Sequence, residues 1–362
     1  MMRISLRAVA QYLFVSGTIL IVSVLLLSDK HLKRSEFIDI QHKPRLELGR
    51  DDQLLSVQDF KNFSSLELRQ QVLSTSQNRQ KNSHPFHYLL TPTSVCSGDI
   101  FLLVYVHSAP RHFKRRMMIR ETWANAANFP DITIKVIFLC GIISTADRLS
   151  IQDALSLEAD IYGDILQEDF VDTYRNLTFK AIMGLKWISY HCRHAEFLLK
   201  ADDDIFINIF RLVAHLRRIS SQRRKPVRKL LLCFVWYRGR VFRNRRSKWY
   251  VSEAEYPNDT FPTFCSGSAF VMTPDVALEL FDASFRVPFF WIDDVYMTGL
   301  LAREVGVSHE AFNSMYMFYP NEIRSKFARR KLPVTLIFGH VHTVNLLKLL
   351  WYNVLVEQRR RK

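Results

Sequence analysis

Residues 200–204 of the chain, KADDD, place Asp202, Asp203 and Asp204 side by side between two short apolar runs, FLL before them and IFI after them. Apolar runs bounded by polar residues are typical of buried strands, so this stretch predicts a strand that ends in three adjacent carboxylates. Like charges this close repel one another and raise each other's pKa, which a bound divalent cation relieves. Oxygen ligands favour Mg²⁺ or Mn²⁺. The alternative is a solvated acidic turn between a strand and a helix.

The segments around the three aspartates alternate between strand and helix patterns. The longest helix pattern repeats apolar residues at steps of four and three, namely Leu177, Ala181, Leu185, Ile188 and Cys192. Continuous apolar runs predict strands at residues 100–106, 134–139 and 229–235, and further helices are expected at residues 110–127, 145–158 and 210–219. Such alternation predicts an α/β fold with a mostly parallel sheet and helices on both faces. Ligands of these sheets collect at the carboxyl ends of strands, where the aspartates fall.

A second pair of carboxylates, Asp293 and Asp294, precedes an apolar helix pattern at residues 299–305. The pair either caps that helix or belongs to a functional site. Gly267, which has small neighbours, indicates a close approach of the backbone to a ligand or to a packed helix.

The N-terminal region predicts membrane anchoring. Residues 8–27 carry no charge and are long enough to cross a bilayer as one helix. We expect a cytoplasmic tail at residues 1–7, a signal anchor at 8–27 and a polar lumenal stem at 28–95, although the flanking charges do not decide the orientation. A basic tail is expected at residues 346–362. In a lumenal protein three N-x-S/T triplets become glycosylation acceptors, at Asn62, Asn176 and Asn258.

Cysteine usage and charge narrow the function classes. The five cysteines lie singly, which argues against a zinc site and predicts one or two disulfides with at least one free thiol. The formal net charge of +15 is concentrated at residues 217–229 and in the basic segment, residues 238–248. Neither run has the pattern of a nucleic-acid module, so we expect no nucleic-acid partner. A solvated face, or a surface that attracts acidic glycans or anionic lipid head groups, accounts for them.

Five motifs together resemble glycosyltransferase family 31, the family of β-1,3-galactosyltransferases and β-1,3-N-acetylglucosaminyltransferases. They occur in the family's order at residues 115–123, 168–187, 200–208, 248–272 and 292–296. The resemblance implies a GT-A-like catalytic domain at residues 96–345, a UDP-sugar donor, Mn²⁺ or alternatively Mg²⁺, a glycan acceptor and inversion at the anomeric carbon. It also implies a type II membrane protein of the Golgi apparatus whose catalytic domain is lumenal.

The resemblance also implies roles for the carboxylates. Asp204 matches the family's metal-binding aspartate, with Asp202 as a second ligand. Asp202 and Asp203 would otherwise contact the ribose or metal-bound water. Asp294 matches the constant aspartate of the second acidic motif and is the expected general base, with Asp293 as the alternative.

Two further sets of residues are implied in the same way. Arg115, Arg120 and Trp123 resemble the family's Arg/Trp segment near the donor, and packing of the first helix explains them equally well. Cys96 and Cys192 occupy positions where galactosyltransferases of the family carry cysteines, which implies that they form a disulfide.

The chain departs from the family pattern in two places. Ser268 and Ala269 stand where a further glycine is usual, and Gly299 comes one residue later than the corresponding glycine. The expected activity is transfer of a hexose, with galactose favoured, to a glycan hydroxyl in a β1,3 linkage. The alternatives are transfer of N-acetylglucosamine or N-acetylgalactosamine, and an inactive relative that binds glycans. The sequence does not decide the oligomeric state.

Overall fold

The computed structural model describes residues 84–223, 226–329 and 335–361. The predicted cytoplasmic tail, signal anchor, Asn62 and most of the stem lie outside these ranges. Within them, no helix combines the length and the apolar character that crossing a bilayer requires.

The main sheet has eight strands in the order β1-β4-β3-β2-β5-β8-β7-β9. The central strands β4, β3, β2 and β5 are parallel to one another, whereas β8 runs antiparallel between β5 and β7. The sheet is therefore mixed, with the predicted parallel arrangement at its centre. Its strands are β1 (Tyr88–Leu90), β2 (Leu102–His107), β3 (Ile134–Ile142), β4 (Ile165–Val171), β5 (Phe197–Asp202), β7 (Leu231–Trp236), β8 (Phe264–Met272) and β9 (Glu310–Ala311).

A second sheet of three strands begins directly after the three aspartates. It contains β6 (Ile205–Ile207), β10 (Tyr316–Met317) and β11 (Phe338–His340), with β11 in the middle. β11 runs antiparallel to β6 and places His340 opposite Ile205. The C-terminal part of the chain thereby returns to the carboxyl end of β5.

Helices cover both faces of the main sheet, as predicted. Side chains alternate along β2, so that Leu103 and Tyr105 join one apolar layer while Leu102 and Val104 join the other. The helices are α1 (Phe113–Glu121), α2 (Arg148–Tyr162), α3 (Leu177–His191), α4 (Ile209–Gln222), α5 (Pro274–Ala283), α6 (Asp293–Val295), a π-helical stretch (Tyr296–Leu301), α7 (Ala302–Glu304), α8 (Pro320–Ala328) and α9 (Val344–Arg361).

Several predicted boundaries need correction. α1 is shorter than the predicted helix at residues 110–127. α2 begins and ends later than the predicted helix at residues 145–158, and Gly163 terminates it with a left-handed φ of 64°. β4 was not predicted, because its Gln167 and Glu168 interrupt the apolar pattern. Both are nevertheless buried. β1 lies inside the segment predicted as stem and pairs with β4, so the folded domain starts before residue 96.

The prediction of a basic tail at residues 346–362 is wrong for its described part. α9 buries an apolar face that includes Leu346, Leu350 and Trp351, and the Trp351 ring stacks on Phe210 at a centroid distance of 5.9 Å. The apolar residues recur at helical spacing, a pattern that the following basic residues obscured. The folded domain therefore continues through α9.

Two disulfides cross-link the described part of the chain. Cys96 pairs with Cys192, which ties the segment before β2 to the end of α3 with a Cα separation of 5.4 Å. Cys233 pairs with Cys265 across β7 and β8. Cys140 is a free, buried thiol.

Candidate active site

Asp203 attaches the loop after β2 to the end of β5. Its buried carboxylate lies 2.7 Å from the Ser108 hydroxyl, 2.6 Å from His112 Nδ1 and 2.7 Å from the Arg115 guanidinium. Burial raises the pKa of Asp203, but hydrogen bonds with His112, Arg115 and Ser108 outweigh it and hold this pKa below its ordinary value. The side chain is thus fully occupied by protein partners.

Asp202 is held by a buried lysine. Lys200 is 2% exposed, and its ammonium group donates a 2.6 Å hydrogen bond to Asp202 and another hydrogen bond to the carbonyl of Gly267. Desolvation raises the pKa of Asp202 to about 6. Lys200 lowers this pKa, whereas the carboxylates of Asp204 and Asp293 raise it. Lys200 therefore joins the end of β5 to β8.

Asp204 lies beside two histidines that the sequence analysis did not single out. Ligand atoms of Asp204, His340 and His342 lie within 4.8 Å of one another, and His340 Nε2 is 3.1 Å from the Asp204 carboxylate. A carboxylate with two imidazoles suits Mn²⁺ better than Mg²⁺, which prefers oxygen ligands, so these residues fit the expected cation. Arg115 lies 3.6 Å from Asp204. Asp202, predicted as the second metal ligand, is not part of this group.

Arg120 and Trp123 are not brought to the three aspartates. Arg120 forms ion pairs of 2.7 Å with both Glu158 and Asp164, and Trp123 is buried in the apolar layer that α1 contacts. These contacts favour the packing interpretation for both residues, because they fasten α1 to its neighbours. Of the three residues that the Arg/Trp motif proposed for the donor, Arg115 alone contacts the aspartates among the described residues.

Asp294 is positioned by two backbone donors. Its carboxylate accepts hydrogen bonds from the N–H groups of Gly267 at 3.0 Å and Val295 at 2.8 Å. Burial and the neighbouring charge of Asp293 raise the pKa of Asp294 to about 7, against these hydrogen bonds. A carboxylate with a near-neutral pKa suits a general base.

Asp293 connects the two acidic groups. Its carboxylate lies 4.0 Å from the Lys200 ammonium and 3.9 Å from His107 Nδ1. His107 is buried at the end of β2, and neither of its ring nitrogens has a hydrogen-bond partner among the described residues. Lys200 thus lies between Asp202 and Asp293, which places both acidic motifs in one site.

The π-helical stretch lies directly after Asp294. Thr298 within it donates a 2.6 Å hydrogen bond to the Asp294 carbonyl and accepts one of 2.9 Å from the Cys265 N–H. A π-type turn contains one residue more than an α-helical turn. The Thr298 hydroxyl therefore links the π-helical stretch to both Asp294 and β8.

Comparison with known proteins identifies the family. A family model described as "Galactosyltransferase" matches residues 114–313, more than half of the chain. The chain belongs to the galactosyltransferase family. The mouse (Mus musculus) protein beta-1,3-galactosyltransferase 1 is 35% identical over 245 residues, which cover 67% of this chain and 73% of that protein. Beta-1,3-galactosyltransferase 5 of Pan troglodytes is 34% identical over 244 residues, covering 67% and 79%. The resemblance to glycosyltransferase family 31 is confirmed.

Two solved structures resemble this galactosyltransferase-family chain only slightly. The crystal structure of the galactosyltransferase LgtC with donor and acceptor sugar analogues has a TM-score of 0.33 and 11% sequence identity, and the match covers 67% of this chain and 87% of LgtC. Mouse xyloside xylosyltransferase 1 has a TM-score of 0.32. At these scores the likeness adds nothing to the family assignment.

The predicted glycosylation acceptors of this family member differ in accessibility. The Asn176 amide is partly buried and donates a 2.7 Å hydrogen bond to the Val171 carbonyl, whereas Asn258 is exposed. Asn258 is therefore the more accessible acceptor of the two.

Sequence reasoning missed the roles of Lys200, His112, His340 and His342 in this galactosyltransferase-family site. A signal for the last two was present, because an H-x-H pattern at a strand end directs both imidazoles to the same side. Their partner Asp204 lies more than a hundred residues earlier in the chain, so no local pattern joins them. Lys200 was visible as a charged residue inside an apolar strand.

Proposed function

We propose that this protein transfers galactose from UDP-galactose to a hydroxyl of a glycan acceptor and forms a β1,3 linkage with inversion at the anomeric carbon. One observation supports this most: Lys200 contacts both Asp202 and Asp293, so that the acidic motif that contains Asp204 and the one that contains Asp294 share one site. The names of the two relatives described above agree with galactose and with the β1,3 linkage.

The donor would bind beside Asp204. Asp204, His340 and His342 would hold Mn²⁺, and the Arg115 guanidinium next to them would pair with the diphosphate of the UDP-sugar. A bound divalent cation supplies charge neutralisation as the diphosphate leaves the sugar. Lys200 keeps Asp202 oriented and offsets part of the negative charge at the end of β5.

The acceptor would bind beside Asp294. The acceptor oxygen attacks the anomeric carbon as the bond between that carbon and the UDP oxygen breaks, and the hydroxyl proton moves to Asp294. A single displacement of this kind inverts the anomeric configuration. The hydrogen bonds from Gly267 and Val295 hold the Asp294 carboxylate in place for this transfer.

The same proposal includes the cellular location. Residues 8–27 would anchor the protein in the Golgi membrane with the catalytic domain in the lumen. Replacing residues 1–27 by a cleavable signal peptide should yield a secreted, soluble and active protein. Complete loss of activity in a folded secreted form would contradict this arrangement.

A donor panel tests the function directly. The secreted protein is incubated with Mn²⁺, a simple β-linked acceptor glycoside and each of UDP-galactose, UDP-N-acetylglucosamine and UDP-N-acetylgalactosamine, and the product linkage is determined. We expect transfer from UDP-galactose and a β1,3 product. Preference for another donor would support a different transferase of the same family. Absence of transfer from all donors, together with retained glycan binding, would support an inactive relative.

A further inference from the structure

The basic segment, residues 238–248, has an unusual charge balance. It contains six cations, and residues 237–252 contain no aspartate or glutamate. Elsewhere in the described structure arginines commonly pair with carboxylates, as Arg116 does with Glu158 and Arg223 with Glu310. None of the cations of the basic segment forms an ion pair with any described residue. An unpaired cluster of like charges repels itself, and a bound anion offsets that repulsion.

Arg243, one of the six cations, fixes the basic segment to the chain that follows it. The Arg243 guanidinium donates hydrogen bonds of 3.0, 2.8 and 2.9 Å to the backbone carbonyls of Val251, Tyr256 and Asn258. Arg245 and Arg246, which follow it, are exposed. The exposed charges of Arg245 and Arg246 thus lie on a loop whose backbone is held by the hydrogen bonds of Arg243.

Two exposed aromatic rings connect the basic segment to the site. The Trp249 indole N–H donates a 2.7 Å hydrogen bond to the Tyr174 hydroxyl, and the Lys248 ammonium lies 4.4 Å from the Trp249 ring centre and 5.5 Å from that of Tyr174. Trp249 is 40% exposed and Tyr174 47%. Flat aromatic faces of this kind pack against the C–H faces of sugar rings.

The aromatic pair lies on the side of the proposed base. The Tyr174 ring contacts Trp291 edge-on at 6.3 Å, and Trp291 precedes Asp293 by two residues. Partial burial and the charges of Asp293, Asp294 and Asp202 raise the pKa of Tyr174, so its hydroxyl lies within the field of both acidic motifs. A sugar stacked on Tyr174 and Trp249 would therefore be next to the acceptor position.

We propose that the acceptor of this enzyme is an acidic glycan, whose sugar ring stacks on Tyr174 and Trp249 while its sulfate or carboxylate group binds the basic segment. This inference rests on the proposed galactosyl transfer and adds the class of acceptor. Arginine suits both anions, because its planar guanidinium pairs with two oxygens at once. A membrane lipid would also supply an anion, but it does not account for the aromatic rings that lead to Asp293 and Asp294.

Matched acceptors test the proposal. The p-nitrophenyl β-glycoside of N-acetylglucosamine, its 6-sulfate and a disaccharide in which the same sugar is linked to glucuronic acid all leave the 3-hydroxyl free. At low salt we expect kcat/KM to be about tenfold higher for an acidic acceptor than for the neutral one, and the preference should shrink as salt screens the charges. The sulfate and glucuronate arms show which anion is preferred.

The double variant Arg245→Gln/Arg246→Gln should bring the ratio of acidic to neutral kcat/KM close to one. Arg359→Gln/Arg360→Gln, which removes an adjacent exposed pair from α9, should leave the ratio unchanged. Equal use of acidic and neutral acceptors by the unmodified enzyme would overturn the inference while the proposed function stands. Galactose transfer to none of the three would instead indicate failure of the proposed function. An unchanged ratio in the Arg245/Arg246 variant, with loss of binding to phosphatidylserine vesicles, would assign the segment to the membrane and also overturn the inference.

Discussion

Gly267 donates its backbone N–H to the carboxylate of Asp294, and the space beside this glycine is occupied by the same side chain. A Cβ atom added at Gly267 would lie 3.1 Å from the Asp294 Cβ and 3.2 Å from its Oδ2. Of the two interpretations of Gly267 that the sequence left open, the structure therefore favours close approach to a packed helix. The glycine allows β8 and the start of α6 to come close enough for the hydrogen bond.

Replacing Gly267 by alanine tests this contact. We expect Gly267→Ala to move the Asp294 carboxylate and to lower kcat by about 10- to 100-fold, the scale that small misplacements of a catalytic group produce. Initial rates and circular dichroism should be recorded together. Ser268→Ala, which adds no atom at the neighbouring position, serves as the control. Unchanged kcat in a folded Gly267→Ala protein would show that the spacing between β8 and α6 does not matter for turnover.

Substitution of Asp294 should affect turnover but not donor binding. Asp294→Asn should lower turnover by about 100-fold or more, the usual scale for loss of general-base assistance, while Mn²⁺-dependent UDP binding is retained. Calorimetric titration with UDP and Mn²⁺, beside initial rates, makes the comparison. Near-normal turnover of Asp294→Asn would move the role of base to Asp293.

The raised pKa of Asp294 predicts the pH dependence of the reaction. A base acts only in its ionised form, so kcat/KM for the acceptor should fall about tenfold for each pH unit below about 7 and level off above it. The profile is measured at saturating UDP-sugar and Mn²⁺. A rate that stays constant down to about pH 5 would mean that no group with the raised pKa of Asp294 takes part.

Substitution of His340 or Asp204 tests the proposed metal site. His340→Ala and Asp204→Ala should each weaken Mn²⁺-dependent UDP binding by at least about 10- to 100-fold, because loss of an outer-shell partner alone has effects of that size. His194→Ala, an exposed histidine in the turn before β5, is the matched control. Equal UDP affinity with and without Mn²⁺ in the unmodified protein would remove the metal from the proposal.

The arrangement around the aspartates was predictable because it depends on neighbouring residues. An apolar strand that stops at charged residues determines where Asp202, Asp203 and Asp204 lie on the sheet. The partners of Asp203 and Asp204 were not predictable, because Arg115 and His340 reach them from α1 and β11, whereas Lys200 precedes its partner Asp202 by only two residues. Adjacent residues in a sequence can thus have unrelated tasks.

Arg120 and α9 show the opposite limitation. A motif identifies which residues recur together but not whether they contact a ligand, and Arg120 instead pairs with Glu158 and Asp164. In α9 the basic C-terminal residues dominated the composition, although the buried face lies at Leu346, Leu350 and Trp351. Periodicity was the better guide there, since packing depends on one face of a helix and not on its average polarity.

The last prediction concerns that helix. Trp351 is 7% exposed and stacks on Phe210, whereas its neighbour Tyr352 is 67% exposed. Trp351→Ala should lower the free energy of unfolding by about 3–5 kcal/mol, because it removes a buried ring and leaves a cavity. Tyr352→Ala should change it by less than about 0.5 kcal/mol. Thermal unfolding of both variants, compared under identical conditions, checks the difference. If the two substitutions lower the unfolding temperature equally, α9 is not part of the folded domain, and the prediction of a basic tail at residues 346–362 would be correct.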